Sequence, residues 1–448
     1  MFKIKARWIK IASLNFLGVL AVLEGFSLVL YGVMKNNLFY AHSPVASYQM
    51  SISSESGNLA VDIDNSLQLR LHPYFGFTDF QPDEATINNY QFLSPKHYPV
   101  KRESDRQLIV GIFGGSVALS VAQIEERDRI ISNILKTLPQ WSDKEIIILN
   151  FAQSGYKQPQ PLLVLNYFLA LGQEFDIVIN IDGFSDVALS SSNYPERVHL
   201  SMPSASVMTS LINLGNNEFS ATDLELAIQR HKYNSNIENI QDRQSDCWLA
   251  LCYMINQWKY QKLQRDRQEF LQQKIQERSE DRRTETTEFN SSTFFYLNPP
   301  DVDTNPENLY RKIAESWASS SLLMHQALVS NDALYFHFLQ PNQYYPTERK
   351  LSNAEAKQVT SDSQGYGESI RQGYPILIDA IAQLEDNGVH IFNAVDVFDR
   401  EPKRVYSDDC CHYNELGNKQ FSKYIGDRII ETLTTPQASP KNLVINNP

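Results

Sequence analysis

Five short apolar runs constrain the fold of this chain more than any other feature of its sequence. Each run is nearly continuous and rich in β-branched or aromatic residues, without the alternation of a half-buried strand. Strands of this kind are buried on both faces, as in a parallel sheet that helices cover. The runs are Leu108–Phe113, Ile146–Phe151, Asp176–Ile181, Ala333–Leu339 and Val389–Val395.

The segments between these runs carry the spacing of amphipathic helices. Apolar positions recur at helical intervals in residues 121–138, 158–172 and 366–386. The repeating unit is therefore a strand followed by a helix. We expect an α/β fold, a three-layer α/β/α sandwich with a five-stranded parallel sheet in flavodoxin-like order. Its ligand site should lie beyond the carboxyl ends of the strands.

The third and fourth runs are separated by far more chain than one crossover helix needs. We expect a helical insertion at about residues 187–331. Within it, residues 261–288 carry Arg and Glu at a spacing typical of an exposed helix with charge pairs four residues apart. A solvated helix is one interpretation of this segment. A surface that docks a protein partner or a second copy is the other.

The N-terminal region contains an apolar run that could cross a bilayer. Residues 11–34 are mostly apolar, and at about 1.5 Å per residue they are long enough to span it. Four cations precede the run, whereas only Lys35 follows it before Arg70, which predicts a cytoplasmic N-terminus and an extracytoplasmic main domain. A cleaved signal peptide and a buried core helix are the alternatives. Glu24 inside the run favours a partner helix or a protonated carboxyl group.

These segments predict the organisation of the whole chain. Residues 1–35 form a cytoplasmic tip and a single transmembrane helix, and residues 36–66 form a stem rich in Ser, Asn and Ala. Residues 67–433 form the α/β domain with its insertion. Residues 434–448 lack periodicity and are expected to be a disordered tail.

Composition excludes several classes of function. The 448 residues hold 40 Lys and Arg against 52 Asp and Glu, a net charge of -12, which argues against nucleic-acid binding. Four Cys without a Cys-x-x-Cys motif argue against a disulfide scaffold and a structural metal. Cys247 and Cys252 are expected on one helix and badly aimed at each other, while adjacent Cys410 and Cys411 would pair only with strain. The remaining alternative is a disulfide between one cysteine of each pair, which would fix the insertion over the site as a lid.

Polar and small residues follow the predicted strands. The first run leads into Ser116, whose hydroxyl would lie on a tight Gly-rich turn before a helix. Ser116 is a candidate nucleophile, or an ordinary helix N-cap. Gly155 follows the second run and Ser185 the third, where each could donate to a developing oxyanion.

Asp409 and His412 follow the last predicted strand. An Asp three residues before a His can bend back to hold Nδ1, which leaves Nε2 to deprotonate a serine. Glu196 and His199 have the same spacing, so what distinguishes Asp409 and His412 is their position after the last predicted strand. Two further segments, residues 72–77 and 339–345, are rich in aromatic and amide groups that suit sugar hydroxyls, although simple loop chemistry also explains them.

Together these blocks resemble the SGNH/GDSL hydrolase superfamily, in which a nucleophilic Ser, a Gly, a Gly-x-Asn-Asp block and an Asp-x-x-His block follow successive strands. The resemblance covers about residues 107–430, interrupted by the insertion. The matching positions are Ser116 in FGGSVA, Gly155 in NFAQSG, Gly183 and Asp186 in DGFSD, and Asp409 and His412 in DDCCH.

The resemblance implies a serine esterase. Ser116 would be the nucleophile, His412 the base and Asp409 the orienting acid. The backbone N–H groups of Ser116 and Gly155 would form the oxyanion hole, together with Ser185. The residues expected to line the substrate are Gly115, Gly183, Asp186, Asn342 and Tyr344.

Two positions depart from the family pattern. Gly115 replaces the Asp before the nucleophile and touches no catalytic role. Ser185 replaces the Asn whose amide is the usual side-chain donor, and loss of one such donor typically costs on the order of 100- to 1000-fold in rate. Asn180 and Asn193 are candidate substitutes for that donor.

The predicted activity is hydrolysis or transfer of acyl groups, O-acetyl groups above all, on a cell-surface glycan or similar ester outside the cytoplasmic membrane. The chemistry requires no cofactor and no metal. The alternative is a catalytically weak or inactive member of the fold that serves as a glycan-binding or scaffold component of an envelope polysaccharide assembly.

Overall fold

The computed structural model describes residues 18–33, 38–41, 69–79, 87–194, 198–205, 247–281, 306–360 and 365–435, with ten further residues between 228 and 244. The chain divides into two compact units. One comprises Met1–Asp64 and Glu218–Thr287, and the other comprises Asn65–Asn217 and Glu288–Pro448. The predicted stem and the predicted tail lie almost wholly outside the described residues.

The second unit is built on a five-stranded parallel sheet. Its strand order is β4-β3-β5-β6-β7, and every neighbouring pair is parallel. This confirms the α/β class, the five strands and their flavodoxin-like order. A separate antiparallel hairpin, β1–β2, precedes the sheet. The strands are β1 Leu69–His72, β2 Gly76–Asp79, β3 Gln107–Gly114, β4 Glu145–Asn150, β5 Ile177–Asp182, β6 Leu334–Leu339 and β7 His390–Asn393.

Helices connect the strands of this unit. The predicted helix 121–138 is two helices, because Arg129 adopts a left-handed conformation with φ of 53°. The Glu125 carboxylate then accepts the backbone N–H groups of Ile131 and Ser132 at 2.7 and 2.8 Å, which caps the second helix. The helices are α1 Ser116–Asp128, α2 Ile130–Leu135, α3 Gln160–Ala170, α4 Phe184–Asn193, α5 Pro306–Val329, α6 Asn353–Val359, α7 Tyr366–Asp386 and α8 Glu415–Thr434.

Helix α5 belongs to the core of the sheet unit. Its Trp317 is fully buried, and the indole N–H donates to Asp182 Oδ1 at the end of β5 at 2.6 Å. The expected insertion at residues 187–331 therefore includes a helix that covers the sheet. The part of the chain that separates into the other unit is residues 218–287.

The first unit contains the helical residues 18–33 and a helix at Ala250–Asp281. A small aromatic cluster of Tyr31, Phe39 and Tyr253 packs between them. The Glu24 carboxylate accepts the backbone N–H groups of Ala250 and Leu251 at 2.7 and 2.9 Å. Glu24 thus caps the first turn of the longer helix, which is the partner helix that its position in an apolar run predicted.

The predicted membrane span covers residues 11–34, of which the structure describes residues 18–33. Among the helices in the described part of the chain, none is both long and apolar enough to cross a membrane. Several apolar side chains of residues 18–33 are exposed, including Val22, Phe26 and Val33.

The cysteines pair differently from the prediction. Cys247 and Cys252 form a disulfide, with their Cα atoms 5.6 Å apart. The prediction placed both on one helix, but the helix begins at Ala250, so Cys247 lies before it and can turn toward Cys252. Cys410 and Cys411 are buried free thiols. The predicted disulfide lid between the insertion and this loop is therefore wrong.

Candidate active site

The nucleophile candidate lies at the point where the strand order reverses. Strand β3 ends between β4 and β5, and α1 begins two residues later at Ser116. Gly114 has a φ of 134°, and a Cβ there would lie 1.9 Å from the carbonyl oxygen of Ile181. Only glycine fits this approach, so the chain turns sharply and presents Ser116 at the carboxyl edge of the sheet.

Three side chains form a continuous chain of hydrogen bonds at this edge. The Ser116 hydroxyl and His412 Nε2 form a hydrogen bond of 2.7 Å, in which the serine donates when the imidazole is neutral, and His412 Nδ1 donates to Asp408 Oδ2 at 2.5 Å. The sequence predicted Asp409 in the second contact, and the structure corrects this to Asp408. The backbone carbonyl of Asp409 instead accepts the hydroxyl of Tyr344 at 2.5 Å.

The shift by one residue follows from the way in which the loop coils. Asp408 Oδ1 accepts the backbone N–H groups of Cys410, Cys411 and His412 at 3.0, 3.1 and 3.2 Å. The loop therefore wraps around the Asp408 carboxylate, as Asp side chains do in turns. Asp408 Oδ1 therefore holds the backbone of the loop, and Asp408 Oδ2 faces the imidazole of His412, four residues later.

The electrostatics of this loop couple three ionisable groups. Burial lowers the pKa of His412, but the charge of Cys411 and the hydrogen bond to Asp408 outweigh it and hold that pKa well above its usual range. Burial raises the pKa of Asp408, and its contacts with His412 more than offset this, so the pKa is lowered. Burial also opposes ionisation of Cys411, yet the Cys410 thiol and the His412 charge lower its pKa to about 6.

The loops after β4 and β5 meet at the residue before the nucleophile. A Cβ on Gly115 would lie 3.0 Å from the carbonyl oxygen of Tyr156 and 3.1 Å from Ser185 Oγ. Gly155 forms the turn just before Tyr156, with φ of 80°. Ser185 thus lies beside the nucleophile turn, as predicted. The glycine at position 115 is explained by crowding, since a larger residue would push against both loops.

Asp186 has a structural place in the site. Its carboxylate is 2% exposed and accepts the backbone N–H groups of Gln158 at 2.7 Å and Gly183 at 2.9 Å. It therefore ties the loop after β4 to the turn after β5. Burial and the charge of Asp182 raise its pKa to about 7. Asp186 was expected to line the substrate, but its contacts instead position the two loops.

Asn342 and Tyr344 also support the loop from behind. Asn342 is 1% exposed, and its amide donates to the carbonyl oxygen of Cys410 at 3.1 Å. Gln343, which belongs to the predicted lining segment 339–345, donates to the carbonyl oxygen of Asp408 at 3.0 Å. These polar groups satisfy backbone carbonyls, so the predicted substrate contacts are replaced by structural ones. The other predicted lining segment, residues 72–77, forms the β1–β2 hairpin.

The two asparagines considered as substitute donors have other partners. Asn180 is fully buried and donates to Asp182 Oδ2 at 2.7 Å. Asn193 accepts the backbone N–H of Ala205 at 2.7 Å and donates to carbonyl groups that include that of His199 at 3.3 Å. Neither amide is available to an oxyanion at Ser116.

A buried polar network at the end of β5 was not predicted. Asp182 Oδ1 accepts Trp317 Nε1–H at 2.6 Å and His337 Nε2–H at 2.7 Å. Asp182 Oδ2 accepts the amide of Gln158 at 3.1 Å. The network joins β5, β6, the loop after β4 and α5, so it fixes the part of the sheet on which the site is built. The sequence feature that could have indicated this network is the presence of polar residues near the ends of the predicted strands.

No protein-family model matches this chain, and no curated protein matches it. Among solved structures, the chain is similar to an acetyl xylan esterase, AlAXEase. The TM-score is 0.31 and the sequence identity 11%, over 73% of this chain and 100% of the other. A similarity at this level carries no functional assignment, so the site is interpreted from its own geometry.

Proposed function

We propose that this protein is a serine esterase of the SGNH type, which hydrolyses or transfers acyl groups on a glycan or a similar ester. The hydrogen-bonded series Ser116, His412 and Asp408 carries the proposal, with contacts of 2.7 and 2.5 Å. A hydroxyl, an imidazole and a carboxylate in this order are what acyl transfer through a serine needs. An ordinary N-cap serine has no need of the other two groups.

In the proposed reaction, Ser116 Oγ attacks the ester carbonyl carbon and its proton passes to His412 Nε2. The tetrahedral intermediate then collapses, and the leaving alcohol takes that proton from the imidazolium. Water, or a hydroxyl of a glycan acceptor, attacks the acyl-enzyme with His412 as base and releases Ser116. Asp408 holds the Nδ1–H tautomer and stabilises the imidazolium at each stage.

The oxyanion would be stabilised by groups that surround the nucleophile turn. The backbone N–H of Ser116 begins a helix, where the helix dipole favours negative charge. We assign the second donor to the backbone N–H of Gly155 and the third to the Ser185 hydroxyl, which lies against Gly115.

The surroundings of the nucleophile favour a small acyl group. Ser116 is 9% exposed, and the loops after β4 and β5 would approach a Cβ at Gly115 to 3.0 and 3.1 Å, so the space beside the nucleophile is narrow. An acetyl group adds only two carbons at this point, whereas a long acyl chain needs a groove. We therefore propose O-acetyl esters as the substrate class, with the sugar portion outside the turn.

Placement outside the cytoplasmic membrane is part of the same proposal. It is supported by the apolar run at residues 11–34 and by the four cations before it. A glycan of the cell surface would then be within reach of the α/β unit. Protease accessibility of the α/β unit in intact cells, against lysed cells, tests this part independently of activity.

The decisive experiment treats the full chain with a fluorophosphonate and measures intact mass. We expect one covalent adduct, absent in Ser116→Ala and retained in the matched control Ser192→Ala. Ser192 is suitable because its exposed hydroxyl bonds only to the Leu189 carbonyl of its own helix in the described contacts. Release of acetate from an acetylated oligosaccharide should follow the same pattern. A folded chain without an adduct would reject the esterase and favour the glycan-binding or scaffold alternative.

A further inference from the structure

Three consecutive side chains converge beside the proposed nucleophile. Neighbouring residues of an extended chain point in opposite directions. Here the loop coils around Asp408, and Cys410, Cys411 and His412 each bring one ligand atom within 4.8 Å of the other two. The two sulfur atoms are 2.9 Å apart.

These separations suit a single tetrahedral ion. Zn–S bonds are about 2.3 Å and Zn–N bonds about 2.0–2.1 Å, so two ligand atoms on one zinc ion lie about 3.5–3.8 Å apart. The two sulfurs, 2.9 Å apart, would separate by about 0.9 Å to reach this spacing, and the three ligand atoms already lie within 4.8 Å of one another. Two thiolates and one imidazole are a donor set that favours borderline-soft and soft cations over Mg²⁺ or Ca²⁺.

The contacts around the loop resemble the support of a metal ligand. A histidine that binds a metal through one nitrogen usually donates its other N–H to a carboxylate. His412 Nδ1 donates to Asp408 in this way, which leaves Nε2 to bind. The backbone around the cysteines is held too, because Asn342 and Tyr344 donate to the carbonyl groups of residues 410 and 409. The backbone that carries the ligands is therefore held before any ion arrives, and the thiol side chains need only rotate.

An ion at this position would compete directly with acyl transfer. His412 Nε2 lies 2.7 Å from Ser116 Oγ, and Ser116 Oγ lies 4.0 Å from Cys411 Sγ. Coordination would occupy the lone pair that accepts the serine proton. Three protein ligands leave a fourth position, which the Ser116 hydroxyl or a water molecule could fill.

We propose that Cys410, Cys411 and His412 form a binding site for a thiophilic divalent cation, represented by Zn²⁺, and that the bound ion inhibits the site at Ser116. The ion requires Cys410 and Cys411 as thiolates and His412 as a neutral imidazole, so binding releases to solvent whichever protons these three groups carry on the ligand atoms. The part that concerns inhibition rests on the proposed esterase activity, whereas the ion site itself does not.

The first test uses Co²⁺ as a spectroscopic probe on the reduced full chain under anaerobic conditions. We expect a near-ultraviolet thiolate-to-cobalt charge-transfer band and visible bands of tetrahedral Co²⁺, saturating at one ion per chain and removed by Zn²⁺. Ser116→Ala should retain the bands, and Cys410→Ser with Cys411→Ser should lose them. The matched control is Cys247→Ser with Cys252→Ser, which removes the other cysteine pair and should retain them.

The second test measures fluorophosphonate labelling and ester turnover against free Zn²⁺. We expect a fall of at least tenfold at saturation and full recovery with EDTA. Bands without any metal-free esterase activity would support the ion site and reject the proposed function. Absence of bands in wild-type chain whose thiols are chemically titratable would overturn the ion site, whatever the activity. Bands without inhibition would overturn the inhibitory role.

Discussion

Substitution of Asp408 by Asn is the sharpest test of the proposed site. Asn has the same shape as Asp, and its carbonyl oxygen can still accept the three backbone N–H groups that Asp408 Oδ1 accepts at 3.0–3.2 Å. Its NH₂ group would replace Oδ2, which lies 2.5 Å from His412 Nδ1. An amide NH₂ can only donate, so it favours the tautomer with the proton on Nε2. That tautomer cannot take the proton of Ser116.

The magnitude follows from the loss of the correct tautomer. In a Ser-His-Asp triad, the same exchange lowers kcat by about 10⁴-fold while the geometry is kept. At about 1.36 kcal/mol per tenfold change, this corresponds to roughly 5 kcal/mol of activation free energy. We expect Asp408→Asn to lose this amount of activity with little change in KM and in thermal stability. The assay is steady-state hydrolysis of p-nitrophenyl acetate, with the fluorophosphonate labelling rate as a second readout.

The adjacent Asp409 supplies a matched control. Its backbone carbonyl accepts the Tyr344 hydroxyl, and Asp409→Asn retains that contact. We expect activity within about threefold of wild type, as for a substitution that leaves the three reacting groups in place. Full activity in Asp408→Asn with loss in Asp409→Asn would refute the geometry and restore the spacing predicted from sequence. Full activity in both would reject the triad.

Four further substitutions test the surroundings of the site. Ser185→Ala should lower kcat by about 100- to 1000-fold with KM nearly unchanged, since a lost oxyanion donor affects the transition state, and steady-state kinetics check this. Gly115→Ala should lower both the melting temperature and the activity, because its Cβ would press on two loops, as calorimetry and the same assay would show. Cys411→Ser removes a charge that raises the pKa of His412. On the acid limb of a pH–rate profile, kcat/KM rises as the imidazole loses its proton, so this limb should move to lower pH in the variant. Asp182→Ala should cost about 3–5 kcal/mol in urea unfolding, because it leaves buried donors without their acceptor.

The sheet could be predicted because its strands are buried on both faces. That burial leaves continuous apolar runs in the sequence, and all residues of β3 and β5 are buried. The insertion was harder to delimit. Helix α5 follows a long polar stretch in the chain, and contacts such as those of Trp317 with Asp182 and Ser321 with His337 show that it covers the sheet.

The acid of the site could not be chosen from spacing. Two adjacent Asp residues precede His412, and an Asp at either position can reach an imidazole if the backbone between them coils suitably. The choice depends on which carboxylate the loop wraps around, and Asp408 accepts three N–H groups from that loop. This is a property of backbone geometry that a residue pattern does not contain.

Polar side chains near strand ends have two physical uses that look alike in sequence. Loops lack the hydrogen bonds of strands and helices, so their buried carbonyl groups need donors from elsewhere. Asn342, Gln343 and Tyr344 are such donors for the 408–410 backbone, although their composition suggested sugar binding. The rigid loop that results aims His412 at Ser116 and, by the same coiling, brings two thiols to the imidazole. A variant that loosens these donors, such as Asn342→Ala, should therefore weaken ester turnover and Co²⁺ binding together, whereas Ser116→Ala should remove only turnover.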